Sequence, residues 1–275
     1  MRALKDKVAV VTGSSRGIGK GAALELAEAG ATVYVTARSV QEGDAPLPGT
    51  VKQTVKEIEQ QGGQAIAVAC DVTDDDALRA LFQRVDQEQG RLDVLVNSAF
   101  HDPGMEGGKP FWETPLSWYD DLNAAGTRGA YVASYFAAPL MVRQKSGLIV
   151  NISSMGAIHH FLNTAYGMGK AALDKLTRDA GRELKRHGVA TVSIWPFLVK
   201  TEHFLHAVES GNSRFSTDGA ESQRFVGRGI VALALDPDLM TRSGQAFTSR
   251  ELADAYGFKD VDGSLPEGSP PPLRK

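Results

Sequence analysis

The stretch KVAVVTGSSRGIG, Lys7 to Gly19, decides the fold. Its first half is a short, nearly unbroken apolar run, as expected of a strand covered on both faces. Three glycines follow, and the chain from Gly17 to Ala29 has the pattern of a helix. A strand, a glycine-rich turn and a helix in that order leave free N–H groups at a helix N-terminus, where a phosphate is welcome. Gly13 suits the tight turn, Gly17 a close approach of backbone to a pyrophosphate, and Gly19 close packing of helix on sheet. The spacing is Gly-x-x-x-Gly-x-Gly rather than Gly-x-Gly-x-x-Gly. Taken alone, such a turn is equally compatible with an ordinary strand–helix connection.

The alternation continues along the chain. ATVYVTA, QAIAVAC, RLDVLVN, GLIVNIS and ATVSIWP read as further buried strands, making six in all. Helical patterns are predicted over Val51–Gln61, Asp74–Gln89, Leu116–Arg143 and Tyr166–His187. Thr73 or Asp74 is the N-cap of the third of the five helices, with Asp75 and Asp76 suited to its positive end, so the acidic run is a helix start rather than a metal site. Strands joined by helical crossovers imply an α/β fold: a single Rossmann-type, doubly wound parallel sheet with helices on both faces. Function is then expected beyond the carboxyl ends of the strands.

Composition narrows the function classes. The 275 residues are 42% hydrophobic with a net charge of -3 and mixed charges, so no basic stripe calls for nucleic acid. The single cysteine, Cys70, ends an apolar run and is expected to be a buried thiol. No segment approaches the length of a membrane span and the first residues lack a signal-peptide pattern, which together predict a cytoplasmic protein. The domain is expected over residues 1–263, followed by a flexible Pro-rich tail over 264–275.

Two local features carry chemistry. The second strand ends Thr36-Ala37-Arg38, with arginine where NAD readers usually carry an acid for the ribose 2′-hydroxyl. Arg38 and Arg16 can converge on a 2′-phosphate, which predicts NADP(H) over NAD(H). Further on, Tyr166 and Lys170 lie one helical turn apart on one face. A free tyrosine is too weak an acid for proton transfer near neutrality, and a neighbouring ammonium favours its phenolate.

With TGSSRGIG, the chain carries CDV at Cys70–Val72, NSA at Asn97–Ala99, DDLNAAG at Asp120–Gly126, NISS at Asn151–Ser154, YGMGK at Tyr166–Lys170 and WPFLVKT at Trp195–Thr201. In these it resembles the short-chain dehydrogenase/reductase family from Lys7 to about Gly263, and FWETPLSWYDDLN and ELADAYGFKDVDG further resemble one branch of that family. The resemblance implies an NADP(H)-dependent enzyme interconverting a small-molecule carbonyl and a secondary alcohol. It implies catalytic roles for Asn123, Ser154, Tyr166 and Lys170. Tyr166 exchanges the proton, Lys170 lowers its pKa and bonds the nicotinamide ribose, Ser154 bonds the substrate oxygen, and Asn123 holds a water linked to the lysine. Cofactor contacts are implied for Gly13, Ser15, Arg16, Gly17, Ile18 and Gly19, for Arg38, and for Asp71 and Val72. They are implied also for Asn97 and Ala99, for Tyr166 and Lys170, and for Pro196, Val199 and Thr201.

Ser153 and Ser154 both compete for the serine role. Ser154 stands twelve residues before Tyr166, one fewer than is usual in the family, yet it holds the usual place at the strand end. Ser154 is preferred, because a strand end is a firmer anchor than loop length. Without the resemblance, Asn123 is a helix-side amide bonding its own backbone.

Phe100 and Phe197 stand where the family usually has glycine and add bulk beside the cofactor. His159 and His160 form no metal site, since adjacent side chains point apart and further ligands are lacking. His203 and His206 share a helical face in TEHFLHAVESGNSRF, a segment expected to form a substrate lid. With Phe111, Trp112 and Trp118, that segment suggests an apolar substrate. The apolar surfaces of the fourth and fifth helical patterns imply, by resemblance, a homo-oligomer, tetramer or dimer. Two other functions fit the residues less well. Enoyl-thioester reductases of this fold separate tyrosine and lysine by six residues, whereas three intervene here. A non-catalytic NADP(H)-sensing protein is expected to lack part of the set that this chain keeps.

Overall fold

A computed structural model describes residues 2–102, 109–213 and 215–272. Residues 103–108 of the segment after the fourth strand, Arg214 of the expected lid segment and residues 273–275 of the tail lie outside the described residues. The chain forms β1 (Val8–Thr12), α1 (Gly17–Glu28), β2 (Thr32–Ala37), α2 (Val51–Gln60), β3 (Gln64–Ala69), α3 (Asp75–Gln89), β4 (Val94–Asn97), α4 (Leu116–Asn123), α5 (Gly129–Gln144) and β5 (Gly147–Ile152). It continues through α6 (Thr164–Leu184), β6 (Val189–Trp195), α7 (Glu202–Glu209), α8 (Gln223–Leu235), β7 (Gln245–Thr248) and α9 (Ser249–Tyr256).

All strand pairs are parallel, in the order β3-β2-β1-β4-β5-β6-β7. The order reverses beside β1, which opens a crevice at the carboxyl ends of β1 and β4. Two apolar layers cover the sheet. One holds Leu26, Val33, Ile230 and Leu252, the other Leu78, Phe82, Ala137 and Met141. Strands buried on both faces explain why their sequences are apolar runs without alternation. α1 and α8 cross with backbones in contact, since a β-carbon on Gly21 would lie 1.8 Å from the Gln223 carbonyl oxygen. Among the described residues no helix is long and apolar enough to cross a membrane.

The structure departs from the sequence reading in several places, adding the helices α8 and α9 that were not predicted. A seventh strand, β7, extends the sheet beyond β6; at four residues it is too short to stand out as an apolar run. The predicted helix Leu116–Arg143 is interrupted by a π-helical turn, Ala124–Arg128, between α4 and α5. A wider turn of this kind rotates the facing of the downstream helix by part of a revolution, and such turns concentrate at functional sites. α6 starts at Thr164, two residues before Tyr166, with the Asn163 side chain accepting from the Tyr166 N–H at 2.9 Å as its N-cap.

Asp74 caps α3, accepting from the N–H groups of Asp76 and Ala77. Cys70 is buried just past β3, and burial pushes its thiol up to about 11, leaving little thiolate at neutral pH. In the tail, Pro266 is buried and its carbonyl accepts from Arg250 Nη1 at 2.9 Å.

Candidate active site

β5 and α6 bring the expected residues together. Ser153 and Ser154 follow β5, and their side chains diverge as successive residues of an extended chain do. Ser154 Oγ accepts the Tyr166 hydroxyl hydrogen at 2.9 Å and the Gly156 N–H at 3.1 Å. Ser153 Oγ turns the other way, donating to the Lys170 carbonyl at 3.1 Å. Only Ser154 shares the tyrosine's front.

Burial pushes Tyr166 up to about 12, with the Ser154 hydrogen bond opposing. Burial lowers Lys170 to about 8, and the charge of Asp174 opposes that fall. Lys170 Nζ donates to the Ile152 carbonyl at 3.0 Å and lies 5.4 Å from the centre of the Tyr166 ring. The amine is held over the ring and against the end of β5, while desolvation acts on both groups.

The other expected residues surround this pair. Asn123 ends α4 just before the π turn, and its amide donates to the Tyr119 carbonyl at 2.8 Å, the local bond expected of a helix-side amide. Its Oδ1 faces α6, where a β-carbon on Gly169 would approach it to 2.8 Å. Phe100 covers Lys170 at 5.2 Å from ring centre to Nζ and meets the Tyr166 ring edge-on at 6.0 Å. Phe161 lies 6.1 Å from Tyr166 and 6.1 Å from Phe215. Phe100 and Phe161 border the tyrosine, and Phe215 backs Phe161. Of the aromatics singled out from sequence, Trp118 is buried on α4, while Phe111 and Trp112 are exposed and pack on each other.

The glycine-rich turn has the geometry of a cradle. Gly13 has φ +66°, and a β-carbon there would come within 2.6 Å of the Ala99 backbone; on Gly19 it would come within 2.3 Å of the Gly13 carbonyl. Side chains are excluded from both, so the turn passes there as bare backbone, with the Ser14 N–H bonded to the Thr36 carbonyl at 3.0 Å, and the first turn of α1 carries no acid. Ser15 is buried, and Ile18 packs into the core layer beneath. One N–H of the turn, that of Gly17, bonds the Glu202 carboxylate at 2.8 Å.

Arg16 donates to the carbonyls of Pro48 at 3.0 Å and Gly49 at 2.8 Å, and Arg38 lies 3.2 Å from His101 Nδ1. Burial lowers the Arg16 pKa, Glu202 opposes this, and the charge of Arg38 adds to it. Asp71 is tied to Thr73, and Val72 abuts Gly129 at the start of α5. The Asn97 amide donates to Asn151 Oδ1 at 2.8 Å, pinning β4 to β5, while its own buried Oδ1 has no partner among the described residues.

After β6, Pro196 leads into a loop in which Val199 pairs with Glu221 and Thr201 caps α7. Glu221, fully buried, accepts from the Phe197 N–H at 2.9 Å and from Ser249 Oγ. Burial pushes Glu221 up to about 7, with those hydrogen bonds opposing. His159 and His160 are exposed, and His203 Nε2 lies 3.1 Å from Asp102. Sequence reasoning missed Asp174, Glu202 and Glu221. The first follows Lys170 by one helical turn, which was a usable signal; the other two meet their partners only through long-range contacts.

A family model described as short chain dehydrogenase matches residues 7–210. The chain belongs to the short-chain dehydrogenase/reductase family. This member of it is 44% identical over 277 residues to the human protein named dehydrogenase/reductase SDR family member 1, covering 94% of this chain and 85% of that one. It is 34% identical over 198 residues to the 3-oxoacyl-acyl-carrier-protein reductase FabG of Staphylococcus aureus, covering 71% and 76%. The crystal structure of a metagenomic short-chain oxidoreductase in complex with NADP superposes with a TM-score of 0.69 at 31% identity, covering 86% of this chain and 93% of that one. The family and the parallel sheet agree with the fold read from the sequence, and the family and its oxidoreductase relatives agree with an oxidoreductase of this family.

Proposed function

We propose that the protein transfers a hydride between NADP(H) and an apolar carbonyl or secondary alcohol, with Tyr166 as the proton donor and acceptor. The observation that carries this reading is the 2.9 Å bond between Tyr166 Oη and Ser154 Oγ, with Lys170 one turn along the same helix. A carbonyl oxygen seated between the two hydroxyls receives a hydrogen bond from Ser154, which stabilises developing charge, and a proton from Tyr166. The bound nicotinamide supplies or accepts the hydride.

The cradle fits such a group. The Gly13–Gly19 turn would hold the pyrophosphate, and Asp71, Val72, Asn97 and Ala99 border the crevice at the ends of β3 and β4. Lys170 would bond the ribose, while Pro196, Val199 and Thr201 would close over the nicotinamide end. Asn123 would hold a water that links Lys170 to solvent. Phe100 and Phe161 beside Tyr166, with Phe215 behind Phe161, favour an apolar substrate.

Arg38 at the end of β2, where no acid stands, and Arg16 in the turn before α1 support NADP(H) over NAD(H), as does the NADP complex of the structural relative. Arg38→Asp is expected to abolish or invert this preference, read by fluorescence titration of NADPH and NADH. Tighter NADH binding by the parent would sink the cofactor assignment. The exposed Tyr131, Tyr135 and Met168 on α5 and α6 support a homo-oligomer, tetramer or dimer, as the working form. Sedimentation at micromolar concentration is expected to give no monomer. The reading as a whole is tested by following NADPH absorbance across a panel of ketones and aldehydes, where no oxidation with any of them would count against it.

A further inference from the structure

We infer that Asp174 is a positioning residue for this chemistry: its carboxylate, fastened by Ser193 and Trp195 one helical turn beyond Lys170, is the counter-charge that keeps the Lys170 ammonium protonated. The inference rests on the proposed role of the Tyr166–Lys170 pair and names the group behind it. Asp174 takes a hydrogen bond from Ser193 Oγ at 2.6 Å, and Trp195 Nε1 reaches its two oxygens at 3.2 and 3.1 Å. An indole N–H can only donate, so Asp174 must accept there, and donors of this kind favour the ionised acid against the burial that raises its pKa. The two β6 residues thus hold a negative charge at a set place under the helix.

Lys170 needs such a charge. It lies in a desolvated pocket with the Ile152 carbonyl as its hydrogen-bond acceptor. The elements packed around it present neutral groups at neutral pH: Tyr166 on its own helix, Ser153 and Ser154 after β5, Phe100 after β4, and Asn123 and Thr127 from α4 and the π turn. Asp174 is the carboxylate one helical turn from Lys170, and its charge opposes the fall that burial imposes on the amine. Removing that charge leaves burial unopposed, and the lysine then loses its proton at lower pH.

The test is the pH profile of kcat/KM for carbonyl reduction by Asp174→Asn, together with NADPH affinity from about pH 6 to about pH 9. The basic limb is expected to move down by about one pH unit. NADPH affinity is expected to match the parent at the acid end and to fall severalfold at the alkaline end. Trp195→Phe removes a donor and no charge, and is expected to move the limb the same way by less, which keeps the inference open to test if the asparagine variant fails to fold. A limb that stays in place in the folded variants, or a loss of equal size at every pH, overturns the inference and leaves Asp174 with a packing role. If the Tyr166→Phe protein turns over normally, the underlying reading falls instead.

Discussion

Tyr166→Phe lowers kcat by about a hundredfold or more and leaves NADPH affinity close to that of the parent; this is the expected result. The substitution keeps the ring, and with it the packing against Phe100 and Phe161. It removes the hydroxyl that donates to Ser154 and would donate to the carbonyl oxygen. Because burial holds that hydroxyl up to about 12, it carries its proton throughout the neutral range, as a donor in reduction must. Oxidation needs the phenolate and is therefore expected to speed up as pH rises, while reduction does not. Stopped-flow measurement of single turnovers alongside NADPH titration separates the two steps. Normal turnover by the phenylalanine protein would end the dehydrogenase mechanism proposed for this chain.

Ser154→Ala is expected to cost about a hundredfold in kcat, whereas Ser153→Ala costs severalfold at most. The sequence offers two adjacent hydroxyls, and the geometry separates them. Ser154 points at Tyr166, and Ser153 points at the Lys170 backbone. Loss of the Ser154 hydroxyl takes away the second donor to the substrate oxygen. Loss of the Ser153 hydroxyl removes a bond between the end of β5 and α6, whose effect should appear in thermal stability, at about 1 kcal/mol, more than in rate. Steady-state kinetics with thermal melts of both variants reads the difference, and equal kinetic losses would contradict the division of roles.

Much of the site was legible because its parts are local. Tyr166 and Lys170 are set on one face by helical pitch alone, and the strand–glycine–helix sequence at Lys7–Gly19 specifies its own turn. Asp174 was as local as Lys170, but in KAALDKL an aspartate reads as a solvated helix residue until β6 supplies its donors. Glu202 and Phe215 were hidden for a different reason. Glu202 meets Gly17, and Phe215 meets Phe161, across long stretches of chain, and no periodicity encodes those meetings.

The sequence by itself determined the class of fold, the family and the placement of Tyr166 and Lys170 on one helical face. Each depends on interactions within one strand, one turn or one helical revolution, where residue type and spacing dictate conformation. Tertiary structure decided which serine faces the tyrosine and which rings border it. It also decided where the long helix widens into a π turn, and how the short β7 completes the sheet edge. Those outcomes depend on the packing of elements far apart in the chain. The energy of such contacts is shared among many partners, and no one segment carries it in its own sequence.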